Sequence, residues 1–234
     1  MRVRVATTAL GITAALLALL ALPACSTDTT GAKHQTPASA RAGEPTDAVH
    51  KPAELSSAAL ESRLLDQSDL GSGYLPKPDR PTRHDYVTVI DCPALSELGG
   101  DAATGGTLTF PHKAKAAFTY GDSSSEISEE LYSDTANKLS AGIGRIFDAM
   151  TGCPTYQLVA GGTPIDITTQ KLPAPQRLGN QQWSQLLTFS SAGRSTVVKQ
   201  TAIRDGNLLL IVSGAPALVD RHLGKALAKA TATG

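Results

Sequence analysis

Aromatic residues are scarce in this chain, ten in 234 or 4%, and none lies before Tyr74 or after Phe189. Charged residues make up 18%, below the quarter or so of an ordinary soluble domain. Neither sign is in excess: Lys plus Arg and Asp plus Glu both total 21. That balance excludes, as a default, a basic nucleic-acid binder or a polybasic membrane clamp. Cysteine is reduced to three residues without a C-x-x-C, which removes a dithiol redox motif. No G-x-S-x-G is present, and no lysine has a serine three residues before it. The pairs Gly71/Gly73 and Gly142/Gly144 lack the further glycine and the Lys-Ser/Thr of phosphate loops. With no catalytic constellation, the reading is a non-enzymatic protein without cofactor or metal.

What is present begins with an address. Arg2 and Arg4 precede an uncharged run, Ala6 to Ala21. Sixteen helical residues reach about 24 Å, short of a bilayer core of about 30 Å, so the run reads as a signal sequence rather than a permanent span. It ends in Leu22-Pro23-Ala24-Cys25-Ser26, which resembles the lipobox of bacterial lipoproteins. The resemblance implies that residues 1–24 are a signal peptide and that Cys25 becomes a lipidated N-terminus. Two acyl chains would hold such a protein stably on the extracytoplasmic face of the cell membrane. The plainer alternative is secretory cleavage near Ala24, which leaves a free thiol.

Ser26 to Pro52 is rich in Ser, Thr, Ala, Gly and Pro, with Val49 its only branched apolar residue. Such a segment cannot bury enough surface to offset chain ordering, so it is expected to be a disordered tether. With Cys25 it makes a segment 25–52, reaching roughly 30 Å. His34 and His50 fall here and read as spacers. Residues 53–234 then form one domain with an expected radius of gyration of about 16 Å.

Within that domain, the spacing of Leu55, Ala59, Leu60, Leu64 and Leu65 predicts a helix over Glu54–Asp66. The Gly- and Pro-rich stretch from Gly71 through residue 83 reads as an irregular loop. Tyr86–Ile90 and Ala114–Tyr120 read as strands, and Cys92-Pro93 opens a short helix to Leu98. Glu126–Tyr132 fits either helix or strand. Asp134–Met150 carries a helical stripe of Leu139, Ile143, Ile146, Phe147 and Met150, with Gly152 as its C-cap. Strands follow at Tyr156–Ala160, Thr163–Leu172, Gln182–Phe189, Ser195–Arg204 and Asn207–Ser213, joined by Gly161-Gly162, Ser190–Arg194 and Asp205-Gly206. Leu208–Val212 does not alternate, which predicts a central strand covered on both faces. Pro216 opens a last helix, with Val219, Leu223, Ala226, Leu227 and Ala230 inward. The fold class is α+β: a mostly antiparallel β-meander with flanking helices.

Without Cys25, the remaining cysteines are Cys92 and Cys153. Outside the cytoplasm an isolated pair is best read as a disulfide. A metal would need two more ligands, and neither His84 nor His112 has a second ligand at finger-like spacing. Gly142 and Gly144 read as close helix–sheet packing. Glu126, Glu129 and Glu130 read as a solvated acidic face rather than catalytic carboxylates. Arg221, Lys225 and Lys229 recur every four residues as an exposed face of the last helix, or alternatively as a contact for anionic headgroups. Tyr74, in the Gly/Pro-rich loop, is the first exposed candidate for ligand binding; Trp183 and Arg204 are the others.

One long run carries a resemblance. It comprises Cys153-Pro154-Thr155-Tyr156 after the long helix, Pro175–Asn180, Trp183–Phe189, Ile203–Val212 and the final alanine-rich helix, with Leu64–Tyr74 upstream. It resembles actinobacterial sensor-domain lipoproteins, similar in layout to the extracellular sensor domains of mycobacterial Ser/Thr protein kinases. Those kinase domains hold two disulfides where this domain can form one. The resemblance implies ligand or partner binding, and the leading reading is a module that recognises an envelope component or another protein through its sheet face or the 71–83 loop. A lipid or glycolipid carrier is the alternative and would need an apolar cavity between sheet and helices. An envelope hydrolase is the weaker third reading.

Overall fold

The unbroken apolar run Leu208–Val212 sits where its composition demands, in the middle of a sheet with helices on both sides. The computed structural model describes residues 53–78, 87–99, 102, 108–121 and 125–232. The signal sequence, Cys25, the 25–52 segment, His34, His50 and His84 lie outside those residues. So does the 79–83 part of the predicted loop.

The strands are β1 Tyr74–Pro76, β2 Thr88–Ile90, β3 His112–Tyr120, β4 Glu126–Ser133, β5 Thr155–Ala160, β6 Thr163–Lys171, β7 Gln181–Ser191, β8 Arg194–Asp205 and β9 Leu208–Gly214. The helices are α1 Ser57–Glu61, α2 Gln67–Leu70, α3 Pro93–Glu97, α4 Ala136–Gly152 and α5 Pro216–Ala230. All nine strands join one antiparallel sheet in the order β1-β3-β4-β9-β8-β7-β6-β5-β2. The predicted α+β class and the meander from β5 to β9 are both present. Leu208, Leu210 and Val212 pack with Val219 and Leu223 of α5, whereas Leu209 and Ile211 pack with Leu139, Ile143 and Phe147 of α4. A third cluster gathers around Cys92, Met150, Tyr156 and Ile167.

Cys92 and Cys153 are bonded to each other, with Cα atoms 5.7 Å apart. The bridge joins the N-cap of α3 to the C-cap of α4. Both thiols are thereby unavailable to a metal.

The sequence reading departs from the structure at several places. The helix predicted over Glu54–Asp66 is only Ser57–Glu61: Ser56 caps its start, Ser62 ends it, and Asp66 is the N-cap of the next helix. Its side chain accepts from the backbone N–H groups of Ser68 and Asp69, and Asp69 returns the bond in a capping box that starts α2. The irregular loop contains β1, an edge strand whose margin tolerates Pro76. Glu126–Tyr132 is a strand. Gly152 belongs to α4, and Cys153 is the cap residue. The β7–β8 connection shrinks to Ala192-Gly193, both at positive φ, as a two-residue hairpin turn requires. Of the two helix glycines, Gly142 is in tight contact, but with Phe110 rather than the sheet. A Cβ there would lie 2.8 Å from the ring, while Gly144 faces open space.

Candidate functional site

Alternate residues of a strand point to opposite faces, and this breaks up the acidic group on β4. Glu126 is exposed and paired with Lys77 at 2.5 Å. Glu129 turns under α1, α2 and α5, where it is 2% exposed. Glu130 turns toward α4, takes an ion pair from Lys115 at 3.2 Å and accepts from the Tyr132 hydroxyl at 2.5 Å. The expected solvated face is therefore replaced by three separate environments. Burial, then the neighbouring Glu130 charge, pushes the Tyr132 phenol up, so it remains a neutral donor.

A groove of about 360 Å³ runs between α4 and the sheet face that Glu130 shares. Its ceiling is the apolar stripe of α4, including Ile143, Ile146, Phe147 and Met150. Its floor mixes apolar Leu187 and Val198 with the polar Ser128, Gln200 and Ser213. Beside the floor, on the same sheet face and tucked under Met150, stands Gln185, fully buried. Its Nε2 donates to Gln200 Oε1 at 2.9 Å and to Met150 Sδ at 3.5 Å, and its Oε1 has no partner. A second hollow, about 330 Å³, lies at the far end of the sheet beside Ala53, Arg63 and the Asp205–Asn207 turn. Arg63 is committed there to the Ala230 carbonyl at 2.9 Å. Of the two, the α4 groove is the better site, since it pairs apolar walls with an unsatisfied buried polar atom beside its floor.

The residues nominated from sequence fall elsewhere. Tyr74 is not an exposed loop residue. It is 2% exposed, and its hydroxyl lies 2.6 Å from His222 Nε2 in the core under α5. Burial, then Arg221 and Lys225, lowers the His222 pKa and keeps the ring neutral. Arg204 braces turns: its Nε donates to Gln181 Oε1 at 2.7 Å and its Nη1 to the Gly206 carbonyl at 3.1 Å. Trp183 is half-buried, its ring centred 6.4 Å from that of Phe147, and packs beneath α4 next to the groove. None of the three lines the groove.

The basic stripe of α5 is occupied as well. Lys229 bridges Asp66 at 2.9 Å and Asp69, while Lys225 reaches Asp69 at 3.5 Å. Arg221 stands 6.0 Å over the Tyr120 ring. Against burial, which alone would lower it, hydrogen bonds to Asp69 and Asp66 raise the Lys229 pKa. Among the described residues, no group of three or more His, Cys, Asp or Glu is placed to hold a metal. No described helix is long and apolar enough to cross a membrane.

Gln185, Gln200, Ser128 and Ser213 carry no motif and do not stand out in the sequence. The available signal was polar residues at inward positions of otherwise apolar strands, combined with the register that two-residue turns impose.

These features define an α+β domain with one nine-stranded antiparallel sheet and a helix-roofed groove. No protein-family model matches the chain, and no curated protein matches it. Among solved structures it is similar to the extracellular domain of PknH from Mycobacterium tuberculosis. The TM-score is 0.55 at 18% identity, covering 76% of this chain and 95% of that one. A Rv0999 ortholog from Mycobacterium smegmatis aligns with a TM-score of 0.38 at 11% identity, covering 70% of this chain and 93% of that one. The fold expected from the sequence resemblance, that of the kinase extracellular domain, is the fold observed.

Proposed function

We propose that the chain is a lipoprotein anchored through Cys25 to the extracytoplasmic face of the cell membrane. Its folded domain acts as a non-enzymatic ligand-binding module, with the groove under α4 as the binding site. The observation that carries the reading is the groove itself. Apolar walls enclose a floor with a few convergent polar groups, and its volume lies at the small end of the range for ligand sites. The likeness of fold to a kinase extracellular domain supports an extracytoplasmic setting. So does the Cys92–Cys153 bridge, a bond that persists in oxidising compartments. A lipid carrier is the second reading, favoured by the apolar ceiling of α4.

Two experiments test this. Cys25→Ala should move the protein from the membrane fraction to the medium; retention in the membrane would defeat the anchor. Protein purified from its own membranes should release a small molecule on denaturing extraction, and Ser213→Phe, which fills the groove, should release none. An identical extract from both proteins would remove the groove as the ligand site.

A further inference from the structure

The register of the sheet places four polar side chains in one line. Gln185 on β7 is opposite Gln200 on β8, Gln200 is opposite Ser213 on β9, and Ser213 is opposite Ser128 on β4. Neighbouring strands stand about 4.8 Å apart, so the row spans about 14 Å across the sheet. Gln200, Ser213 and Ser128 open onto the groove, and Gln185, beside Gln200 on the same face, holds the Gln200 amide from just outside the lining.

None of the four carries a charge, and their hydrogen-bonding capacity is under-used. Gln185 Oε1 has no partner, although the residue is completely buried. Gln200 Oε1 is taken by Gln185, leaving Gln200 Nε2 to donate. The Ser128 hydroxyl makes only a long bond, 3.4 Å, to the Ser213 carbonyl. Apolar rows flank the stripe: Ala202 and Ile211 on one side, Leu187 and Val198 on the other. The charged groups in the groove, Lys115 and Glu130, neutralise each other at one end.

Resting on the reading of the groove as the ligand site, we infer that the Gln185–Gln200–Ser213–Ser128 row selects a neutral, hydroxyl-rich ligand, a saccharide of one or two rings. An acyl chain would cover the stripe without supplying a donor or acceptor, leaving desolvated amides and hydroxyls unpaired. An anion would meet Glu130 and find Lys115 already paired. Sugar rings offer hydroxyls along their edges for the stripe and C–H faces for Phe147 and the apolar rows. Two rings also match the length of the row.

The test titrates the full-length protein with maltose, cellobiose and N,N′-diacetylchitobiose up to about 10 mM. Fluorescence of Trp183, the chain's one tryptophan, supplies the signal. Dodecanoate and inorganic phosphate are run alongside. Saturable binding of a disaccharide should weaken about tenfold in Gln200→Leu and several-fold in Ser128→Ala. The serine variant keeps the result readable if loss of the Gln185 acceptor harms folding. Binding of dodecanoate but no disaccharide would overturn the saccharide class and leave the groove standing as a ligand site. Disaccharide binding unchanged in both variants would overturn the role of the row. Binding of no probe at all overturns the inference, and an identical extract from wild type and Ser213→Phe would show separately that the groove reading had failed.

Discussion

The backbone N–H of Leu65 donates to Glu129 Oε2 at 2.7 Å, tying the connection between α1 and α2 to the centre of β4. The other carboxyl oxygen, Oε1, has no partner. Burial pushes this carboxyl from 4.5 up to about 7, against the Leu65 bond and the attraction of Lys229, with Asp69 adding to the rise. The folded protein therefore holds a proton that the unfolded chain has already released. The contribution of Glu129 to stability should fall as pH rises from about 4.5 through about 7, by about 3 kcal/mol, and level off above that. Glu129→Gln keeps the acceptor for Leu65 and removes the titration. Urea unfolding from about pH 5 to about pH 8 should show the wild type declining relative to the variant, which keeps only the opposite, rising contribution of the buried His222. Equal slopes would place the proton elsewhere.

The Cys92–Cys153 bridge closes a loop with a sequence separation of 61. In the chain-entropy treatment, a loop of that size stabilises the fold by about 4 kcal/mol. Replacing both cysteines by alanine should lower stability by about that amount in chemical unfolding. It should also loosen the C-terminal end of α4, where Met150 roofs the groove. Ligand binding should therefore weaken along with stability.

Tyr74→Phe removes one partner from the buried Tyr74–His222 bond and leaves the imidazole unpaired. The cost should be about 1–2 kcal/mol. Replacing His222 by an apolar residue in the Tyr74→Phe background should cost less than it does in the wild type. A double-mutant cycle by thermal unfolding measures the difference.

Two glycines should respond in opposite directions to alanine. Gly214 has φ of +149°, and a Cβ there would fall 2.1 Å from the Glu126 carbonyl oxygen, where β9 closes on β4. Gly214→Ala should cost more than about 2 kcal/mol. Gly144 lies inside α4 with open space around it, so Gly144→Ala should stabilise by roughly 0.5–1 kcal/mol. Midpoints of chemical unfolding read both.

The elements that were legible in the sequence are those whose signal is local. The helical stripe from Leu139 to Met150, the apolar run of β9 and the cysteine pair all fall into this group, as does the turn after β8, which lies one residue later than expected, at Gly206-Asn207. Tyr74 reads as an exposed loop residue because glycines and prolines dominate its neighbourhood, while the contact that buries it comes from His222, 148 residues away. Asp66 reads as part of a helical stripe until its side chain is seen capping the next helix. Glu129 and Glu130 look alike in sequence, and only the pleat separates a buried carboxyl from one in an ion pair. The polar row under α4 depends on the register of four strands at once, so it surfaces only when the turns between them are fixed.

Both margins of the sheet are three-residue strands, β1 and β2, while the longest strands lie inside it. β1 covers only Phe118–Tyr120 of β3, but further along that edge the Lys113 N–H is taken by Ser57 of α1, and β2 covers Gln157–Val159 of β5, so among the described residues the open backbone is short on each side. A passing chain would gain only a few ladder bonds by adding itself to either margin. Crowded side by side on a surface, copies of this domain would have little means of stitching their sheets together. Aggregation by strand exchange should be slow even at high local density, and partners that recognise proteins by extending a sheet would find almost no purchase here.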